Sequence, residues 1–130
     1  MKTKIQIIDE TVDYYSKNHR GKSLDHLIAG CYYRTPEGHM CAVGRCLLKK
    51  HISSRSIITF GDSNDLFDGL GEPDLILKKN YHGHSRNFWQ ALQKFHDTDS
   101  NWQRNSKGGS NLTPSGEEML AILKMNYADK

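Results

Sequence analysis

An α+β fold is what this sequence predicts: compact, mostly helical, with one small β-hairpin, in a single domain over residues 1–130. Three observations predict it. Apolar residues recur at helical spacing near both ends and again from Ser85 to His96. One β-prone run, Cys31-Tyr32-Tyr33, stands just before the turn signal Pro36-Glu37-Gly38. A chain of 130 residues buries about two-thirds of its extended surface, which makes a single core.

The elements follow in order. Ile5, Ile8, Val12 and Tyr15 form a stripe with Asp9, Glu10 and Asp13 opposite, so residues 3–18 read as an amphipathic helix ending before Gly21. Tyr14 and Tyr15 are expected to pack against the Cys31 region. Ser23 caps a short second helix to Ala29, with Leu24, Leu27 and Ile28 inward. The hairpin is expected over residues 30–43, its second strand running from His39 to Val43 and stopping at Gly44. Asp62 or Ser63 would cap a short helix that buries Leu66, Phe67 and Leu70, and Pro73 opens another through Leu75, Ile76 and Leu77. Ser85 caps a helix with Phe88, Leu92 and Phe95 inward and Trp89 and His96 beside them. Asn105 to Asn111, rich in Gly, Ser and Asn, reads as a mobile loop. Thr113 and Pro114 begin the closing helix, with a capping box of Ser115 and Glu118 one turn on. Met119, Leu120, Ile122, Leu123 and Tyr127 make that helix apolar on one side.

Composition narrows the function classes. The net charge of +3 suits a small anionic ligand and falls short of the basic face of a sequence-specific DNA binder. No apolar run has the length of a membrane span, and Met1-Lys-Thr-Lys-Ile5 is too polar to open a secretory signal, so a cytoplasmic protein is expected. Three cysteines, an odd number, point to reduced thiols.

Cys31 to His51 concentrates the chemistry. Cys31, His39, Cys41, Cys46 and His51 supply enough thiolate and imidazole for a tetrahedral zinc site. Their spacing matches no Cys-x-x-Cys knuckle, and buried free cysteine is a common core residue, so no metal or other cofactor is assigned. Asp62, Asp65 and Asp68 lack the alternating acidic positions and terminal Glu of an EF-hand. His82, His84, His96 and Asp97 lie too close in too short a chain for a His-Asp phosphohydrolase. None of the cysteines has an activating partner at a recognisable spacing, so no catalytic residue is assigned either.

Anion recognition fits more of the residues. Arg34, Arg45, Lys49, Lys50, His51 and Arg55 crowd one region, while His82, His84 and Arg86 precede a helix N-terminus that offers free amides to phosphate. Tyr32, Tyr33, Tyr81 and Trp89 can stack a base. The expected ligand-binding set is Tyr33, Arg34, Arg45, His51, Tyr81, His84 and Arg86, with the arginines at 34, 45 and 86 converging on one hollow lined by tyrosines.

Cys31-Tyr-Tyr-Arg-Thr-Pro-Glu-Gly38 continuing through Cys41-Ala-Val-Gly44, with the later Leu92-Gln-Lys-Phe-His-Asp97, resembles a family of small proteins encoded by bacteriophages and prophages. The family's motifs are a Cys-x-Tyr, Gly, Cys-Ala-Val-Gly centre and a Leu-Gln-x-x-His-Asp helix, and the resemblance spans most of the chain from Tyr14 onward. Here Leu48 runs into Lys49-Lys50-His51 where family members often carry a Pro-Asp turn. The resemblance implies a setting, not a reaction. Accessory phage proteins often block host defence, several by sequestering nucleotide signals, and by that analogy this chain is expected to sequester a nucleotide-derived host signal. A homo-oligomer with a pocket between protomers would let so short a chain enclose it. A basic segment docked on an acidic host protein, or a small nucleotide hydrolase, are the alternatives.

Overall fold

Helix α3 (Arg86–Asp97) carries the widest buried face of the described helices. The computed structural model describes residues 1–18, 31–34, 42–48, 58–60, 67–68 and 71–127. Along them run α1 (Lys4–Lys17), β1 (Cys31–Arg34), β2 (Ile58–Phe60), α2 (Pro73–Ile76), α3, β3 (Trp102–Arg104), β4 (Ser110–Leu112) and α4 (Pro114–Tyr127). Single 3-10 turns at Gly44–Cys46, Lys79–Tyr81 and Asp99–Asn101 join them. The architecture is α+β and mainly helical, as expected.

Ser85 starts α3 by accepting from the Phe88 amide through its side-chain oxygen. The helix then buries Phe88, Trp89, Leu92, Gln93, Phe95 and His96, a wide face that touches both ends of the chain. Phe88 meets Tyr127 edge-on at 5.5 Å between ring centres, and Phe95 meets Trp102 at 5.4 Å. Truncating one of the fully buried aromatics to alanine costs about 3–5 kcal/mol in such a setting.

Helix α1 matches the expected span within a residue at each end. Thr3 and Gln6 close a reciprocal capping box, the Thr3 hydroxyl accepting from the Gln6 amide at 3.1 Å and the Gln6 carbonyl oxygen accepting from the Thr3 amide at 2.8 Å. Its buried face is Ile7, Ile8, Thr11 and Tyr15, with Ile5 and Val12 half-buried beside it. Tyr15 packs on His96 at 4.6 Å and on Trp102 at 6.3 Å.

The strand pairing differs from the expected hairpin. β1 pairs antiparallel with β2, Cys31 opposite Phe60 and Tyr32 opposite Thr59, and Tyr33 is the extra residue where the register shifts before Arg34 meets Ile58. Ala42 and Val43 form a turn, not a strand, because their backbone is claimed elsewhere. The Val43 amide donates to the Gln93 side chain on α3 at 2.9 Å, and the Cys46 amide to the Val43 carbonyl at 2.9 Å. Leu47 then bridges to Leu77, so Ala42, Val43, Cys46 and Leu47 all enter the core beside α2.

The loop expected over residues 105–111 is present at 105–109 as the turn of a hairpin. β3 and β4 form a hairpin there, Trp102 opposite Leu112 and Arg104 opposite Ser110. Asn105 builds its turn: its side-chain oxygen accepts from the amides of Lys107 and Gly109 while its amide group donates to the Ser16 carbonyl at 2.8 Å. The turn lies against α1 so closely that a Cβ on Gly109 would stand 2.5 Å from the Tyr15 carbonyl oxygen.

Thr113 caps α4 as expected, accepting from the Gly116 amide at 3.0 Å. A Cβ at Gly116 would fall 2.0 Å from the Asn101 carbonyl oxygen, so α4 begins in direct contact with the turn before β3. The expected single apolar side of α4 is split. Leu123 is buried and Leu120 and Tyr127 half-buried, whereas Met119 and Ile122 are 46% and 47% exposed and Met125 is 75% exposed. The helix expected over Ser23–Ala29 lies outside the described residues. Of the one expected over residues 62–72, Phe67 is described as buried and Asp68 as exposed.

Candidate functional site

The arginines singled out from the sequence separate into different surroundings. Arg45 enters the interior on the turn at Gly44–Cys46, its side chain 6% exposed. One terminal nitrogen donates to Glu10 of α1 at 2.5 Å and to the Tyr81 hydroxyl at 3.3 Å, and the other donates to the Thr11 hydroxyl at 2.9 Å. The guanidinium lies 5.4 Å from the ring centre of Tyr14 and 5.8 Å from that of Tyr81. Tyr81 donates its own hydroxyl to Glu10, and the Lys2 ammonium reaches the other Glu10 oxygen at 2.6 Å. Burial alone would push the Glu10 carboxyl up, yet the bonds from Lys2, Tyr81 and Arg45 hold it down at about 2. Burial pushes the Tyr81 hydroxyl above its ordinary range, so it stays a donor. Arg45 and Tyr81 thus do share a site, but a carboxylate of the chain fills the place expected for phosphate.

Arg86, at the first position of α3, lies in a second cluster. It donates to Glu72 through Nε at 3.0 Å and through a terminal nitrogen at 2.6 Å, and to Asp68 at 2.7 Å. That fork is the two-point geometry a phosphate would also accept. No described residue is a hydrogen-bond partner of both arginines, so Arg45 and Arg86 do not converge on one anion.

The loop between them is tied down by its own polar groups. His82 donates from Nε2 to the Leu77 carbonyl at 2.8 Å, and the Gly83 amide donates to Asp74 at 3.0 Å. His84 donates from Nε2 to the Lys2 carbonyl at 2.9 Å while packing on Phe88 and Trp89. Its Nδ1 is therefore a lone pair, buried without a hydrogen-bond partner among the described residues, and burial lowers the ring's affinity for a proton. With the Lys2 amide bonded to the Asn80 carbonyl at 2.8 Å, the start of the chain is strapped across this loop.

That strap brings Lys4 to the N-terminal end of α3. An open cleft of about 630 Å³ lies there, lined by Lys4, Gly83, Ser85, Asn87, Asn126 and Tyr127. The backbone amides of Arg86 and Asn87 in the first turn of α3 have no hydrogen-bond partner among the described residues. Sequence reasoning located the loop and the helix terminus but missed Lys4, Asn87, Asn126 and Tyr127. Only the cap at Ser85 signalled them, because the other walls come from opposite ends of the chain.

The remaining candidates divide by what is described. Cys46 is fully buried and its thiol is pushed up to about 11 by that burial, the behaviour of a core residue. His96 is buried, and its Nδ1 lies 2.9 Å from Asp97, whose carboxylate also accepts from Gln93. Among the described residues no cluster of three or more His, Cys, Asp or Glu side chains could hold a metal. His39, Cys41 and His51, as well as Lys49, Lys50 and Arg55, lie outside the described residues, and of Tyr33 and Arg34 only the backbone in β1 is described. No described helix is long and apolar enough to cross a membrane. A scan against family models and searches of the curated proteins and the solved structures find no match to this chain.

Proposed function

We propose that this protein binds a phosphorylated, nucleotide-like small molecule and holds it without turning it over, as a phage-type accessory protein sequestering a host signal would. The supporting observation is the cleft at the start of α3, lined by Lys4 and Asn87, beside a helix N-terminus whose first two backbone amides have no hydrogen-bond partner among the described residues. A helix N-terminus carries about half a positive charge and favours an anion, and a nearby ammonium adds to that field. In this reading Lys4 and the α3 amides take the phosphate, while Arg45 and Arg86 serve the frame through their own carboxylates. Tyr127, whose hydroxyl donates to the Asn87 carbonyl at 3.2 Å, supplies the aromatic wall. Retention without cleavage is favoured by the chemistry of the buried groups: the Cys46 thiol is too protonated to attack, and the His96 imidazole lies inside the core.

The test is titration calorimetry against inorganic phosphate, mononucleotides, cyclic nucleotides and ADP-ribose-type compounds, with each compound re-analysed after incubation. At least one phosphorylated compound should bind, be recovered intact, and bind at least about tenfold more weakly to Lys4→Glu, a loss of about 1.4 kcal/mol. Silence across the panel at millimolar ligand, or an accumulating cleavage product, would overturn the reading.

A further inference from the structure

A second groove along α4 is distinct from that cleft, although Asn126 and Tyr127 border both. It is about 550 Å³, lies between α3 and α4, and has apolar walls that include Ala91, Phe95, Met119 and Ile122. The outward face of α4 continues it: Met119, Ile122 and Met125 recur every three residues and are all exposed. A helix that turns one apolar stripe to the core and a second to water has an unfilled partner position.

The charges beside the groove identify the partner. Lys94 on α3 and Glu118 on α4 both line it, and neither has an ion pair among the described residues. Lys124, by contrast, is already engaged by Asp9 at 2.5 Å. One unpaired cation and one unpaired anion flanking a single apolar stripe make a surface complementary to itself. A two-fold axis through the groove would set each Lys94 against the partner's Glu118, with the Met119 and Ile122 side chains between them. A uniformly basic or acidic foreign helix would meet one of the two charges as repulsion, and an anionic lipid surface would meet Glu117 and Glu118.

We infer that this groove is the interface of a homodimer. The inference is independent of the proposed ligand, although Asn126 and Tyr127 line both hollows, so a second copy seated in the groove borders the anion cleft.

Sedimentation velocity of the full chain from about 1 to about 200 μM tests it in a range where micromolar association is visible. A dimer should form, and Ile122→Glu should abolish it while leaving the circular-dichroism spectrum unchanged. Lys94→Glu and Glu118→Lys should each weaken the dimer at least about tenfold, and the two together should restore it, because complementarity across the axis returns. A monomer throughout, a dimer indifferent to Ile122→Glu, or a double reversal no stronger than the single ones would overturn the interface. The charge variants sit on exposed side chains, so this outcome does not depend on Ile122→Glu folding.

Discussion

Arg45 and Arg86 make the same chemical statement in two different media. Each directs at least one terminal nitrogen at a carboxylate oxygen, Arg45 at Glu10 and Arg86 at Glu72 and Asp68, over 2.5 to 2.7 Å. Around Arg45 the carboxylate is 27% exposed and the guanidinium 6%; Thr11 and Tyr81 accept from its terminal nitrogens beside Glu10, and its Nε is buried without a hydrogen-bond partner among the described residues. Around Arg86 the two carboxylates are 69% and 62% exposed, and water competes for every lone pair. Geometry alone makes the Arg86 fork the better salt bridge. Burial reverses that order, since a charge sealed from water has no other partner when its own is removed.

The comparison breaks first, and most visibly, at Arg45. Arg45→Ala takes from Glu10 its most deeply buried partner, leaving Lys2 and Tyr81, and should lower stability by about 1.5–3 kcal/mol, read from the urea midpoint. Replacing both partners, Arg45→Met with Glu10→Leu, should cost much less than the two single changes added, because no unpaired charge is left inside. A strictly additive double mutant would mean that Arg45 and Glu10 are not coupled.

Acid should find the same cluster next. The Glu10 carboxyl titrates near 4.5 when unfolded and at about 2 when folded, so its stabilisation is complete above about pH 4.5. It is lost as pH falls through that interval, by no more than about 3 kcal/mol. Urea midpoints followed downward from pH 6 should show this loss in the wild type and not in Glu10→Gln, whose stability is already reduced at neutral pH. A parallel pH dependence in both proteins would assign the acid sensitivity to other carboxylates.

Much of this arrangement was legible in the sequence, and what was not follows from distance along the chain. The caps at Ser85 and Thr113 and the stripe of α3 are local patterns, and each appears where it was expected, while the buried face of α1 is turned from the expected Ile5 and Val12 toward Ile7 and Thr11. Strand pairing is not local. β1 finds β2 more than twenty residues away, because Val43 and Cys46 spend their backbone groups on α3 and the turn, and no propensity reports that. The Gly/Ser/Asn run at residues 105–111 reads as a loop from its composition, and what composition does not show is that Asn105 satisfies its amides and Gly109 lets it touch α1, which makes it the turn of a hairpin. The site residues divide the same way. Arg45 and Tyr81 were found as a cation and a ring, but Glu10 sat on the expected solvent face of α1, so the carboxylate that occupies them went unseen. Arg86 was read as a phosphate ligand since its acidic partners at positions 68 and 72 were assigned to a separate helix.

The smallest expected effect sharpens the contrast furthest. Arg86→Ala removes three short hydrogen bonds, more than many stabilising surface pairs contain, yet it releases Glu72 and Asp68 into water that solvates them at once. Its urea midpoint should move far less than that of Arg45→Ala. Salt should then separate the two by mechanism. Between about 0.05 M and about 1 M sodium chloride the screening length shrinks to about 3 Å, which erases attraction between exposed charges and acts much less on a pair whose guanidinium is 6% exposed. The Arg86→Ala shift should therefore vanish at high salt while the Arg45→Ala shift persists. If both shifts faded together, Glu10 and Arg45 would be as open to ions as the surface fork, and burial would no longer be what distinguishes these arginines.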